Sequence, residues 1–492
     1  MKKDIPFIKK FQVDGDFFIY DVNTNKFFKV DEPVYHLIDK NEKQYEEASK
    51  SLAKFPLHVI NEAIKNIDSA RERGYFSSHR PKITYFHSIP KEKFMDFLKT
   101  QLNSNLRRIA LVVTEFCNHR CRYCSYSGIY AYNRKHSRKH MTSQVMRKAV
   151  DFYFSRNHGV EEKNVSFFGG EPLANFRLIR ECVNYINETY SDAAQYNMTT
   201  NGTLLDREKI RFLADNNFSV LVSIDGPKEV HDRYRVFRNG KGTFDRLMSN
   251  LEMMKEMYPD YFNSKVRFNV VLAPPIEFER INEFITRTDI KPAAFKFSYV
   301  NDHFTSFYNK FPPEQLAAIK KSKIENLESF NRKLASGEVP NELEKNMFIQ
   351  RYLHIHRRSM EALPSEIPSN GQCILGERSI FINVDGSFNF CSKIDDSFNL
   401  GNPDTGFDYK RIEKIYFDME KLLSERCYGC WAIRFCGKCI NDVNKNGVVD
   451  GDVFERLCSS KKISILNEIK DYIKIRESNP QALNYLEGIT IS

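Results

Sequence analysis

Ten of the eleven cysteines in this 492-residue chain fall into two close-spaced groups, and Cys182 stands apart. The first group, Cys117-Asn-His-Arg-Cys121-Arg-Tyr-Cys124, has the spacing C-x3-C-x2-C. Three thiolates on one tight loop can hold three irons of a [4Fe–4S] cube, whose usual ligand set is four cysteines. The fourth iron then stays open, which is what a substrate-binding metal site requires. A redox pair or zinc is the competing reading, although zinc wants four ligands and His119 is a poor fourth so close in sequence. Spacing alone favours iron–sulfur and leaves zinc open. The second group runs Cys373-x12-Gly386-x4-Cys391, then Cys427-x2-Cys430-x5-Cys436-x2-Cys439, and ends at Cys458. Paired cysteines in turns suit zinc as well as iron. Cys182 lies in a helical pattern and is expected to be a buried core residue.

These residues need elements to position them. From about 106 to 300 the chain alternates apolar strand-like runs with amphipathic helical ones. The strands expected are 109–114, 165–168, 196–200, 218–224, 266–272 and 294–300, and the helices 142–156, 174–190, 206–216, 243–257 and 276–286. That alternation predicts an α/β fold with a parallel sheet and helices outside it. Six units close only part of an eight-unit barrel, so a partial TIM-like (β/α)6 barrel is expected, with its chemistry at the C-terminal strand ends. Upstream, 1–80 reads as a small α+β module: runs at 17–22 and 26–32 form a hairpin around Asn23-Thr24-Asn25. Helices follow from Pro33, near 43–54 and over 57–74. Residues 81–105, with Pro81 and Pro90, read as a linker and 301–365 as a helical bridge (313–335 and 341–361). The stretch 366–492 is turn-rich and cysteine-rich, with a closing helix near 460–477.

The cysteine loop directly after the first barrel strand resembles that of the radical S-adenosylmethionine (SAM) superfamily, over about 106–300. Further matches come in the family's order. They are Gly169-Gly170-Glu171-Pro172 after the second strand, Thr200-Asn201-Gly202 after the third and Ser223-Ile-Asp225-Gly226-Pro227 after the fourth. His231-Asp232-x-x-Arg235 and Gly240-x-Gly242-Thr243-Phe244 follow. The resemblance implies an oxidoreductase with a [4Fe–4S] cluster on Cys117, Cys121 and Cys124. It also implies SAM held by Gly169, Gly170, Glu171, Pro172, Thr200, Asn201, Ser223, Asp225 and Arg235. Reductive cleavage of SAM would give a 5′-deoxyadenosyl radical that abstracts hydrogen from substrate.

The second cysteine group resembles the SPASM domain of peptide-modifying radical SAM enzymes, although two residues rather than the usual three separate Cys436 from Cys439. The resemblance implies two auxiliary [4Fe–4S] clusters, three clusters in all. One would sit on Cys427, Cys430, Cys436 and Cys458, the other on Cys373, Cys391 and Cys439 with no fourth cysteine evident. The N-terminal module is similar to precursor-recognition modules of ribosomal peptide maturases, where a leader adds as a strand to a sheet edge; a structural cap is the alternative. With CRYCSYSGIYAYNRKHS, the whole resembles the thioether-forming ranthipeptide and sactipeptide maturases of cysteine-rich peptides. Carbon–carbon or carbon–oxygen crosslinking is the alternative chemistry. A sulfatase-maturing enzyme fits less well, because there an aspartate follows the cysteine matching Cys391 and here Ser392 does.

Composition sets outer bounds. With 41% hydrophobic residues and no low-complexity tract, the chain should build sizeable cores. No apolar run approaches the roughly 18 residues that span a bilayer, and the N-terminus lacks an apolar signal core, so a cytoplasmic protein without membrane association is expected. Cysteines in such a compartment are not expected to pair as disulfides. The net charge of +10 suits an acidic partner: a precursor peptide, or a flavodoxin- or ferredoxin-type electron donor. A zinc protein binding nucleic acid through the same basic surface leaves the ordered strand-end motifs unexplained, so no nucleic-acid partner is expected. The run Arg134–His140 reads as a solvated face near the cluster loop. Asp442-x-Asn444-x-Asn446-Gly447 reads as a polar turn rather than a calcium loop, since Val453 occupies the twelfth position.

Overall fold

The computed structural model describes residues 5–40, 52, 54–84, 89–190, 194–302, 304–368, 375–376, 379–391 and 397–488. The helix expected near 43–54 and the cysteine at 373 lie outside the described residues.

Six strands form the parallel barrel sheet: β5 (Arg108–Thr114), β6 (Lys163–Gly169), β7 (Ala194–Thr200), β8 (Ser219–Ser223), β9 (Val266–Leu272) and β10 (Ala294–Tyr299). They pair in chain order from β5 to β10, as successive right-handed βα units dictate. All six were expected within two residues of both ends; β6 and β7 each begin two residues earlier than their expected starts. Strand β5 is buried along all but its first residue, because helices cover one face and the barrel interior the other. Helices Ser143–Phe154, Phe176–Thr189, Arg207–Asp215, Phe244–Met257 and Phe278–Arg287 pack outside. Thr142 and Asp206 cap two of them by accepting from the amides of Val145 and Lys209.

The sheet does not stop at six strands. Beyond β5 lie β12 (Ile380–Ile382), parallel to it with Ile380 opposite Ile109, and β13 (Phe388–Asn389), antiparallel to β12. The cysteine-rich region is therefore grafted onto the barrel sheet itself. The segment expected as a linker is also structured. Strand β4 (Lys82–Thr84) pairs in parallel with β11 (Glu366–Pro368), and helix Lys91–Ser104 buries Phe94, Leu98 and Leu102, one face at helical spacing.

The N-terminal module is a three-stranded antiparallel sheet, β1 (Ile8–Val13), β2 (Asp16–Asp21) and β3 (Lys26–Val30), rather than a two-strand hairpin. Strand β2 alternates as a two-faced strand must. Ile19 packs on the module's own helices with Leu37, Ile60 and Ile67, while Phe18 and Tyr20 join the main core. Arg434 fastens this sheet to the cysteine-rich region, donating to the carbonyls of Val22 (2.7 Å) and Asn23 (2.9 Å). The Tyr20 and Phe435 rings lie 5.3 Å apart. Helices Pro313–Ser336 and Glu342–His356 follow β10, the second ending five residues before its expected end at 361. The closing helix, Gly451–Ser478, starts nine residues before its expected point. Among the described residues no helix is long and apolar enough to cross a membrane.

Candidate active site and cysteine clusters

The loop after β5 carries Cys117, Cys121 and Cys124, and backbone bonds on two sides hold it. From the β6 turn, Gly170 N donates to Thr114 O and Glu171 N to Phe116 O, both at 2.8 Å. From the segment after β8, Arg120 N donates to Val236 O (2.7 Å) and Arg122 N to Tyr234 O (2.9 Å). Glycine at 169 and 170 has a reason beyond room for a ligand. A Cβ at either position would be driven into a carbonyl of the cysteine loop, that of Thr114 or of Phe116. Two of the three sulfurs accept backbone amides at 3.4 Å, Cys117 from His119 and Cys124 from Tyr126.

Burial decides the protonation of these thiols. It pushes Cys117 far up, with the Glu171 carboxylate adding to the effect, and raises Cys121 to about 12. Cys124 is raised as well, and the Arg235 guanidinium works against burial at both Cys121 and Cys124. Such sulfurs become thiolates only against a cation, so the donor set and its desolvation fit a bound metal cluster. Among the described residues no three His, Cys, Asp or Glu side chains converge as ligands of a single ion would. A cube does not ask for that, because each cysteine takes its own iron.

Glu171 is buried (1% exposed) and knots three strand ends together. Its carboxylate accepts from Thr200 Oγ1 (2.7 Å), the Leu173 amide (3.1 Å) and the Asn201 amide (2.7 Å). Burial lifts its pKa to about 7, and these same bonds restrain the rise. Asn201 in turn donates to Asn118 Oδ1 (2.9 Å) and points its amide at Cys117 Sγ (3.9 Å). Thr203 donates to Asn201 Oδ1 at 2.7 Å and stands 2.9 Å from His119 Nε2. Burial, aided by Arg235, lowers His119 to about 3, so its ring is neutral.

A second buried knot follows β8. Asp225 accepts from the Tyr123 hydroxyl and from the Val271 amide (3.0 Å), and Arg235 Nε lies 3.0 Å from its carboxylate. Asp225 and Arg235 are 2% and 7% exposed, so each charge depends on the other. His231 supports the pair. Its Nδ1 accepts from the Asp225 amide, so Nε2 carries the proton toward Thr243 Oγ1 (3.0 Å), which donates to Arg235 O. Burial and Arg235 keep this imidazole neutral. Ser223, 9% exposed, ends β8 beside this knot. The residues expected to line SAM thus share one end of the sheet, Pro172 opening the short helix after Glu171. Sequence reading missed Tyr123 and the approach of Arg235 to Cys121. It also took His136 for a solvated residue, whereas its Nε2 lies 3.7 Å from Cys124 Sγ.

The second cysteine group is only partly gathered among the described residues. Cys427 ends helix Tyr409–Cys427, Cys430 and Cys436 lie in the following turns, and Cys458 is buried in helix Gly451–Ser478. Cys427 is raised to about 12, first by burial and then by the sulfurs of Cys430, Cys436 and Cys458. The four are thus near enough to act on one another electrostatically, and all pack in or against the main core. Lys438, close by in sequence, is 1% exposed, and among the described residues its Nζ has no hydrogen-bond partner. A buried lysine acting on the thiols of Cys427, Cys430 and Cys436 fits an anionic cluster there. Cys391 follows β13 and Cys439 precedes the short helix Ile440–Val443; both are half-buried. Cys182 is fully buried in core, and 444–449 forms a tight hairpin in which Asn444 Oδ1 accepts from Gly447 N.

The parallel strands of this α/β sheet carry a three-cysteine loop at their C-terminal ends, and residues 111–287 match the Radical SAM superfamily. Among individual proteins, a cysteine-type anaerobic sulfatase-maturating enzyme of Clostridium novyi is 33% identical over 148 residues, 30% of this chain and 39% of that protein. The radical SAM cyclopropyl synthase TigE of Paramaledivibacter caminithermalis is 27% identical over 197 residues, 37% of this chain and 40% of that protein. The matched segments thus span well under two thirds of these relatives. The fold is shared with a solved structure described as native anSMEcpe with bound AdoMet. Its TM-score is 0.53 at 18% identity, covering 78% of this chain and 100% of that one.

Proposed function

We propose that this chain is a radical SAM maturase of a ribosomally synthesised, cysteine-rich peptide, in which it forms thioether crosslinks. The observation that carries the reading is the second cysteine group: Cys427, Cys430, Cys436 and Cys458 act on one another electrostatically and pack on the same core as the barrel and the N-terminal sheet. Cys117, Cys121 and Cys124 would hold a [4Fe–4S] cube with an open iron for SAM, and when bound these groups would supply the 5′-deoxyadenosyl radical chemistry that takes hydrogen from a substrate. The chain's own residues position this chemistry. The Gly169–Pro172 turn, Thr200, Asn201, Ser223, Asp225 and Arg235 line the SAM site, and the amides of His119 and Tyr126 stabilise charge on two of the sulfurs.

Each thioether removes two hydrogens from the peptide. One leaves carbon as an atom, the other leaves the thiol as a proton, and one electron remains for an acceptor. Cys427, Cys430, Cys436 and Cys458, and Cys373, Cys391 and Cys439, would hold auxiliary clusters that could serve as that acceptor or bind the substrate sulfur. The leader adds as a strand at an edge of the β1–β3 sheet, and a flavodoxin- or ferredoxin-type protein delivers electrons to the basic surface. Carbon–carbon bond formation is the second reading, favoured by the likeness to a protein named a cyclopropyl synthase. The likeness to sulfatase-maturating enzymes is offset by Ser392 where that group has aspartate.

Coexpression with a cysteine-rich precursor, followed by intact-mass and fragmentation analysis, tests the proposal. The expected product is lighter by two hydrogens per link, with the linked cysteines closed to alkylation. Loss of hydrogens with every cysteine still alkylatable would instead select carbon–carbon chemistry, and an aldehyde would select sulfatase-type maturation.

A further inference from the structure

We infer that Lys438 is the fixed positive charge that sets the reduction potential of the cluster on Cys427, Cys430, Cys436 and Cys458, making it able to take up an electron. The inference rests on the auxiliary cluster proposed above and assigns a role to a residue outside the ligand set.

Lys438 lies in Cys436-Gly-Lys-Cys439, a segment one residue shorter than the pattern it resembles. Its side chain is almost fully enclosed, yet among the described residues Nζ donates to no acceptor. Its neighbours are the Phe454 ring, with the ammonium 4.5 Å from the centroid, and the thiols of Cys427, Cys430 and Cys436, on each of which it acts electrostatically. One cation–π contact returns far less than burial of an ammonium costs, so the compensation has to come from the sulfur side.

The other two lysines here are placed differently. Lys461 gives its ammonium to the Gly437 carbonyl and to Asp442 Oδ2, and Lys462 reaches Cys458 from a more open position on the long helix. Four thiolates outweigh the charge of the cube they hold, and reduction makes the site more negative still. A cation locked beside it in a low-dielectric interior therefore favours the reduced form. An acceptor for the electron left by crosslinking needs that bias.

The test uses the full chain, anaerobically reconstituted, with Cys117, Cys121 and Cys124 replaced by alanine to remove the barrel cluster's signal. Potentials are read by redox titration followed by electron paramagnetic resonance, with iron content measured alongside. K438M is expected to shift the reduction equilibrium at least tenfold toward the oxidised form, about 59 mV lower for one electron. K438R should stay near the unsubstituted protein and K461M should shift less than K438M. An unmoved potential in iron-replete K438M overturns the inference, as does a shift in K438R equal to that in K438M. Should K438M lose its iron, full iron in K438R still supports a charge role, and loss in both overturns it. Zinc in place of iron at these four cysteines, before any lysine is changed, would instead defeat the cluster reading on which the inference stands.

Discussion

The carboxyl of Glu171 titrates inside the protein, and removing it changes how stability depends on pH. Burial raises its folded pKa to about 7 from an ordinary 4.5. A group whose folded pKa is raised contributes stability that is fully present below the unfolded value and disappears as pH climbs through the folded one. The window is therefore about pH 4.5 to 7, and the contribution is about 2.5 kcal/mol larger at pH 5 than at pH 8. E171Q removes the titration, so its stability should lack this slope. The amide also turns an N–H toward either the Asn201 amide or Thr200 and Leu173, which costs roughly 1–3 kcal/mol for the donor left unpaired. The assay is thermal or chemical denaturation of both proteins at several pH values, read as the difference between them so that other titrations cancel. Wild type minus E171Q should fall by about 2.5 kcal/mol between pH 5 and pH 8. Over a domain of the barrel's size, that is a relative shift of roughly 5–10 °C in melting midpoint. Parallel curves would refute the reasoning, because they would mean that Glu171 stays ionised throughout and that its three hydrogen bonds outweigh its burial.

R235M should destabilise the protein by about 3–5 kcal/mol by leaving the Asp225 carboxylate buried and unpaired, and D225N in the same chain should restore much of it; equal midpoints for R235M and wild type in denaturant would contradict the pairing. G170A should cost about 1–3 kcal/mol and deplete iron at the barrel site, since the new methyl meets the rigid Phe116 carbonyl. Full iron loading at an unchanged melting temperature would count against that packing. C427A should remove about four irons per chain and spare the barrel cluster, as iron analysis and the electron paramagnetic resonance signal of the remaining clusters would register; loss of all iron would show that the sites do not fold independently.

What the sequence determined by itself was whatever is written locally. The barrel strands were legible because each is a continuous apolar run, a pattern that burial on both faces requires. The first cysteine set was legible because a single loop carries all three thiols, and the strand-end motifs because each follows its strand directly. Cys182 was placed correctly by its helical surroundings. Strand β1, by contrast, reads Ile-Lys-Lys-Phe-Gln-Val, with too few apolar residues to announce itself, and it pairs because β2 supplies a template. Helix Lys91–Ser104 did carry a signal, Phe94, Leu98 and Leu102 at helical spacing, which the flanking prolines masked.

Tertiary structure decided the rest. Three residues, Ile380–Ile382, extend the barrel sheet only because Ile109 lies beside them, and no local pattern encodes so distant a partner. The same holds for the charges. Arg235 could be assigned to SAM from its motif, but its closeness to Asp225 and Cys121 arises where the segment after β8 folds over the cysteine loop. Lys438 looks like any surface lysine until helix Gly451–Ser478 places Phe454 against it. Apolar periodicity and loop-borne ligands are properties of neighbours along the chain. The partner of a buried charge is chosen by desolvation, which exists only once distant segments have closed around it.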